Sequence, residues 1–208
     1  VIGHNYEFDI DRMEVAFGPQ GMVIDIYTTY LDNIGACDTA LGDLFISDNG
    51  WNPEGTEHYT GDNYQNGESW EYALVLDNHT GQAGRASLYM IPQDHTYSNH
   101  LILSHGPTDS VCREGQEVQL NVEGLTRLET GTWSIENLGG SDTDDYLRFV
   151  IDYNFGPVSE YGFHWGMTCG NDVIEGSAPV PEPATMLLFG SGLIGLAALG
   201  RKRLARLR

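Results

Sequence analysis

Met22-Val23-Ile24-Asp25-Ile26-Tyr27-Thr28-Thr29-Tyr30-Leu31 is built almost wholly from Val, Ile, Tyr and Thr. These β-branched and aromatic side chains suit a pleated, half-buried surface, so the stretch predicts a strand. Upstream, Tyr6-Glu7-Phe8-Asp9-Ile10-Asp11 alternates strictly, with Phe8 and Ile10 on one face and three acids on the other. It predicts a half-buried strand, continued over Arg12–Phe17 by Met13, Val15 and Phe17. Downstream, strands are predicted over 41–47, 70–77, 86–91, 100–104, 117–122, 131–137, 146–153 and 161–168. They are separated by Gly/Asn/Asp/Pro-rich turns. About ten short strands so spaced predict a mainly β fold, an antiparallel β-sandwich or jelly roll. No part of this body holds a sustained 3.6-residue apolar period, so helices should be few.

The one convincing helix lies at the C-terminus. Ala184 to Gly200 carries no charge and only Thr185 and Ser191 as polar side chains. At ~1.5 Å per residue it makes a helix of roughly 26 Å, just short of a hydrocarbon core, and flanking arginines extend it by snorkelling. The expected organisation is an exported domain over 1–177, a Pro-rich linker over 178–183, a transmembrane helix over 184–200 and a basic cytoplasmic tail over 201–208. The basic end stays cytoplasmic, which puts the body on the far side of the membrane, in the periplasm or beyond. Export in turn predicts a secretory signal peptide ahead of Val1.

Of the 10 basic residues five lie in the tail, and of the 30 acids only Glu182 does. Five arginines and no lysine against 29 acids leave the body at −24, and the tail at +4 brings the chain to −20. So acidic a body repels phosphate backbones, which excludes nucleic acid as a partner. Its aromatic and β-branched content argues against disorder.

Three cysteines, Cys37, Cys112 and Cys169, fit an oxidising compartment with one disulfide and one odd thiol. All three pairings are open. Cys112–Cys169 is preferred because Cys37 sits in the small-residue loop Gly35-Ala36-Cys37-Asp38.

The pattern D-N-x-x-N-x-E occurs twice in the acidic loop before Trp70, as Asp48, Asn49, Asn52, Glu54 and as Asp62, Asn63, Asn66, Glu68. Ca²⁺ takes six to eight oxygens from such residues, so both copies are candidate ligand sets; Asx turns in a hydrophilic loop are the competing reading. Trp51, Tyr59 and Tyr64 in the same loop could stack on sugar faces beside these amides, which makes saccharide the leading ligand class. Trp70 opens an apolar strand and reads as core. No G-x-S-x-G, H-E-x-x-H or phosphate-binding loop is present, and nothing in the pattern argues for catalysis.

Pro181-Glu182-Pro183, the apolar run with Gly190-Ser191-Gly192, and Arg201-Lys202-Arg203 occur in that order at the extreme C-terminus. Together they resemble the PEP-CTERM sorting tail recognised by exosortase in Gram-negative bacteria. The resemblance covers about a seventh of the chain. It implies an exosortase-type processing enzyme as partner, and a body that is membrane-anchored or released to the surface or extracellular matrix. The segment Gly162–Gly176, with 24–28 and 42–47, is similar to stretches of some exosortase-dependent surface proteins, a resemblance that carries no activity with it. The expected function is a non-enzymatic envelope or matrix component. The alternative is a single-span accessory subunit of a membrane complex, its helices approaching through the small-residue pair Ser191 and Gly195. An extracellular hydrolase comes third.

Overall fold

A computed structural model describes residues 6–19, 21–53, 63–104, 112–136 and 145–181. The strands are β1 (Ile10–Phe17), β2 (Met22–Thr28), β3 (Leu44–Ser47), β4 (Tyr72–Leu76), β5 (Ala83–Met90), β6 (Leu101–Leu103), β7 (Glu117–Leu120), β8 (Arg127–Glu136), β9 (Tyr146–Ile151), β10 (Glu160–Gly166) and β11 (Val173–Pro179). A single helical turn, α1 (Tyr97–His100), and three short 3₁₀ turns complete the described elements. The fold is mainly β and antiparallel, as the strand spacing predicts.

Its closure differs from a sandwich. Among the described residues, nine strands form one continuous sheet in the order β1-β2-β9-β8-β5-β4-β3-β10-β11, and β6 and β7 pair apart from it. The sheet coils until its edge strands β1 and β11 come into contact without a ladder between them. The backbone N–H of Ile10 donates to Asp172 Oδ2 across this seam at 2.8 Å. A strand sheet twists with a fixed hand, and here the coiled sheet closes its apolar face on itself rather than on a second sheet.

Alternation decides which side chains line that interior. Met22, Ile24 and Ile26 of β2 point inward beside Leu147, Phe149 and Ile151 of β9, with Trp133 of β8. Leu44 and Ile46 of β3, Leu74 and Leu76 of β4, and Phe163 and Trp165 of β10 complete the inner cluster. A second cluster forms on the outer face of β3 and β4, where Phe45, Trp70 and Ala73 pack with Ile91, Leu101 and Leu120. The hairpin β6–β7 supplies its cover, so β3 and most of β10 are buried on both faces.

Three expectations are corrected. Tyr6–Phe8 form a 3₁₀ turn rather than a strand, and β1 starts at Ile10. Thr28 Oγ1 donates to the Asp9 carbonyl and Thr29 Oγ1 to that of Tyr6, folding the segment over the end of β2. Phe8 thereby stacks on Tyr30 at 5.7 Å, while Glu7 and Asp9 stay exposed. The strand at 22–31 ends at Thr28, whose hydroxyl caps a 3₁₀ turn over Thr29–Asn33. Finally, Ala178 and Pro179 belong to β11 rather than to a linker. As the last residues of an edge strand they need no ladder on one side, a position that tolerates proline. Among the described residues no helix is long and apolar enough to cross a membrane. The span expected over 184–200 lies outside them.

Candidate functional site

The closing hairpin β10–β11 holds a buried polar cluster centred on His164. Register sets His164 of β10 opposite Glu175 of β11 on one side and Phe45 of β3 on the other. His164 is fully buried. Its ring meets Phe45 edge-on at 5.6 Å and lies against Trp70 at 5.5 Å. Nδ1 is 2.7 Å from Glu175 Oε1, and Nε2 contacts the carbonyl oxygen of Glu117 on β7.

A carbonyl only accepts, so Nε2 must carry a hydrogen. The proton between Nδ1 and Glu175 decides the charge. Burial pushes the imidazole pKa down, but the hydrogen bond and charge of Glu175 and the field of Glu117 reverse this, leaving it raised. Burial likewise pushes Glu175 up; its bond to His164 outweighs that and, with the Trp51 indole and the charge of Arg113, leaves it lowered. Between pH 4.5 and 6.5 both shifts favour imidazolium paired with carboxylate. Trp51 Nε1 donates to Glu175 Oε2 at 3.1 Å, while the indole remains 40% exposed.

Chemically, both imidazole nitrogens are committed, so His164 has no nitrogen to offer a substrate as general base. A second buried carboxylate behaves in the same way. Asp43 accepts from Leu76 N at 3.0 Å, Leu120 N at 2.9 Å and His79 Nε2 at 2.8 Å, tying β3, β4 and β7 together. Of the closing stretch 162–176, Trp165 Nε1 donates to Gly42 O, Thr168 Oγ1 accepts from Ala40 N, and Asp172 binds Ile10 across the seam. Gly170 has φ +59, and a Cβ there would fall 2.7 Å from Ser104 Oγ. These residues are consumed by the fold.

The acidic loop lies beside this cluster. Asn52 N donates to Glu68 Oε2, Asp48 N to Glu71 Oε2 at 3.2 Å, and Asn49 Nδ2 to Glu71 Oε1 at 3.2 Å. Asp48, Asn49, Asn52 and Glu68 are thus brought together, although sixteen residues separate Asn52 from Glu68. Burial, with the charges of Asp48 and Glu68 adding, raises the Glu71 pKa. Asn63 and Asn66 form a separate turn, Asn66 Oδ1 accepting from Asn63 N and Asn63 Oδ1 from Gln65 N. That is Asx-turn geometry. No group of three His, Cys, Asp or Glu placed to hold a metal occurs among the described residues.

Of the aromatic candidates, Trp51 is exposed, whereas Tyr64 packs on the Phe45–Trp70 cluster. Trp70 is core as expected, although it precedes the strand, which begins at Tyr72. No disulfide joins Cys37, Cys112 and Cys169 in this structure, and Cys112 packs on the apolar cluster that contains Cys169. Glu54, Tyr59, Asp62, Glu182, Pro183, Ser191, Gly195, Arg201, Lys202 and Arg203 lie outside the described residues. Sequence reasoning missed His164–Glu175 and Asp43–His79, because pairing across strands leaves no local spacing. The one available signal was a lone acid, Asp43, heading the apolar run Leu44-Phe45-Ile46.

At the far end of β11, the N–H of Val180 still donates to Ser159 O at 2.9 Å. Pro181, first residue of the Pro-Glu-Pro motif, follows directly. Beside this exit Phe17, Tyr153, Phe155 and Tyr161 form an aromatic cluster, with Phe155 5.5 Å from Tyr161 and 4.8 Å from Tyr153. The family profile of the PEP-CTERM protein-sorting motif matches residues 179–203. The chain therefore carries an export and surface-sorting signal, which implies processing by an exosortase-type enzyme. No curated protein and no solved structure matches the chain.

Proposed function

We propose that this chain is a non-enzymatic envelope or matrix component, delivered to the surface as a folded β domain by the sorting signal at its end. The observation that carries the reading is the continuity of β11 with the motif: sheet hydrogen bonding runs to Val180, and the motif match begins at residue 179. The body thus hangs on its signal with almost no free linker. In this reading the apolar run 184–200 spans the membrane before processing, the basic residues 201–208 stay cytoplasmic, and the body faces outward. Commitment of both His164 nitrogens supports a role without catalysis.

The contact surface is the loop before β4. Trp51 offers an exposed ring whose N–H is held by Glu175, the arrangement of a fixed stacking platform for saccharide. Ca²⁺ is the second ligand class, through the Asn49 and Asn52 amides beside Asp48 and Glu68, and a melting point that does not differ between Ca²⁺ and EDTA removes it.

The deciding experiment expresses the chain in a host with the processing enzyme and compares it with a Pro181→Ala, Glu182→Ala, Pro183→Ala variant. The wild type is expected in the surface or released fraction without its tail, and the variant in the membrane fraction ending at Arg208. A wild type that keeps Arg208 and copurifies with other membrane proteins replaces this reading with that of a resident accessory subunit.

A further inference from the structure

The turn between β10 and β11 places Cys169 in the core wall, where it is only 2% exposed. The segment entering β7 runs alongside. Arg113 N donates to Cys169 O at 3.0 Å, and Ser104 holds the same segment through its hydroxyl, which donates to Arg113 O and accepts from Gln116 N at 2.9 Å. Gly115 N adds a bond to Ser104 O at 3.1 Å. These bonds hold the segment that follows Cys112 beside Cys169 before any covalent link exists. Cys112, next to Arg113 in sequence, packs on the same apolar cluster that contains Cys169. Cys37 is different: it is exposed on a loop, in a left-handed conformation with φ 56.

We propose that Cys112 and Cys169 are a disulfide site, closed by exchange with a disulfide-bearing oxidant and clamping the β10–β11 turn to the strand that supplies the His164 carbonyl contact. Cys112, the more accessible thiol, attacks first as its thiolate. It bonds to one sulfur of the oxidant and expels the other as a thiolate. Cys169 then attacks the Cys112 sulfur, forming the protein S–S bond and releasing the second oxidant thiolate. The two protons of the cysteines end on the two released thiols, and the two electrons reduce the oxidant's disulfide. Burial pushes the Cys169 thiol up to about 11, which suits it to the second, intramolecular step rather than the first. Where the oxidant is met in the cell rests on the export reading; the pairing itself does not.

The test uses the full chain in detergent, reduced and then incubated with oxidised and reduced glutathione. Maleimide labelling and non-reducing peptide mapping should find one thiol, Cys37, and a single cross-link joining Cys112 to Cys169. Closing a loop of this size should raise the melting temperature by on the order of 10 °C over the reduced form. Cys37→Ser should keep the cross-link and leave no thiol; Cys112→Ser should leave two. Three labelled thiols after oxidation, or a cross-link containing Cys37, overturns the proposal. A bond that forms in glutathione but is missing from protein isolated from cells overturns the export reading and leaves the pairing standing.

Discussion

His164–Glu175 and Arg148–Asp25 are both ion pairs between residues directly opposed on neighbouring strands. Arg148 forks onto Asp25, with Nε to Oδ1 at 2.7 Å and Nη2 to Oδ2 at 2.6 Å, on an outer face open to solvent. His164 also leaves the interior of the coiled sheet, but there the outer face is roofed by β6–β7 and Trp70, and the ring is sealed. The same position in a ladder is thus a surface contact in one place and a core contact in the other. What decides is a hairpin remote in sequence.

Breaking the buried pair should have the largest effect. Glu175→Ala leaves the buried imidazole either charged without its partner or forced to give up its proton, and should cost about 3–5 kcal/mol in urea unfolding. A loss under about 1 kcal/mol would mean that water reaches His164. The next effect is in pH. Glu175 is lowered from 4.5, so its contribution is complete above that value and lost as pH falls through the lower folded pKa. His164 is raised from 6.5, so its contribution is complete below that value and lost as pH rises through the higher folded pKa. The stability gap between wild type and Glu175→Gln should therefore be widest between 4.5 and 6.5 and narrow on both sides. A gap independent of pH would show that the pair does not titrate as a unit.

Arg148→Ala should cost less, about 0.5–1 kcal/mol, since the guanidinium side chain is 37% exposed. Molar salt should shrink this loss and leave that of Glu175→Ala nearly unchanged, because screening reaches only the outer pair. Smallest in stability is Trp51→Ala, expected within about 1 kcal/mol because the ring is already half in water. The same variant should abolish retention on a polysaccharide column that holds the wild type. Equal retention would remove Trp51 as the platform.

Much of the coiled sheet was legible in residue order. Alternation at Met22, Ile24 and Ile26, and the apolar run at Leu147–Ile151, announced strands because a pleated chain exposes alternate side chains to one face. Tyr6–Asp11 shows the limit of that signal: its alternation is perfect, yet Thr28 and Thr29 capture the carbonyls of Asp9 and Tyr6 and bend Tyr6–Phe8 into a turn, leaving only Ile10 and Asp11 of the stretch in β1. β11 was missed for the opposite reason. Val173-Ile174-Glu175-Gly176-Ser177-Ala178-Pro179 carries few large apolar residues, because an edge strand is required to bury little. In the acidic loop the repeat was visible, but its meaning was not, since Glu68 reaches Asn52 only through the fold.

From residues alone came the antiparallel β class, the charge separation of body and tail, and the sorting motif. Each is a local property, carried by side-chain period, composition or contiguous spacing. Tertiary structure decided that nine strands make one coiled sheet, that the body runs up to Val180, and that Cys112 packs on the cluster that contains Cys169. It also decided that His164, unremarkable among seven histidines, becomes the charged centre of the closing hairpin. Those outcomes depend on which distant segments share a face, and no local pattern encodes that.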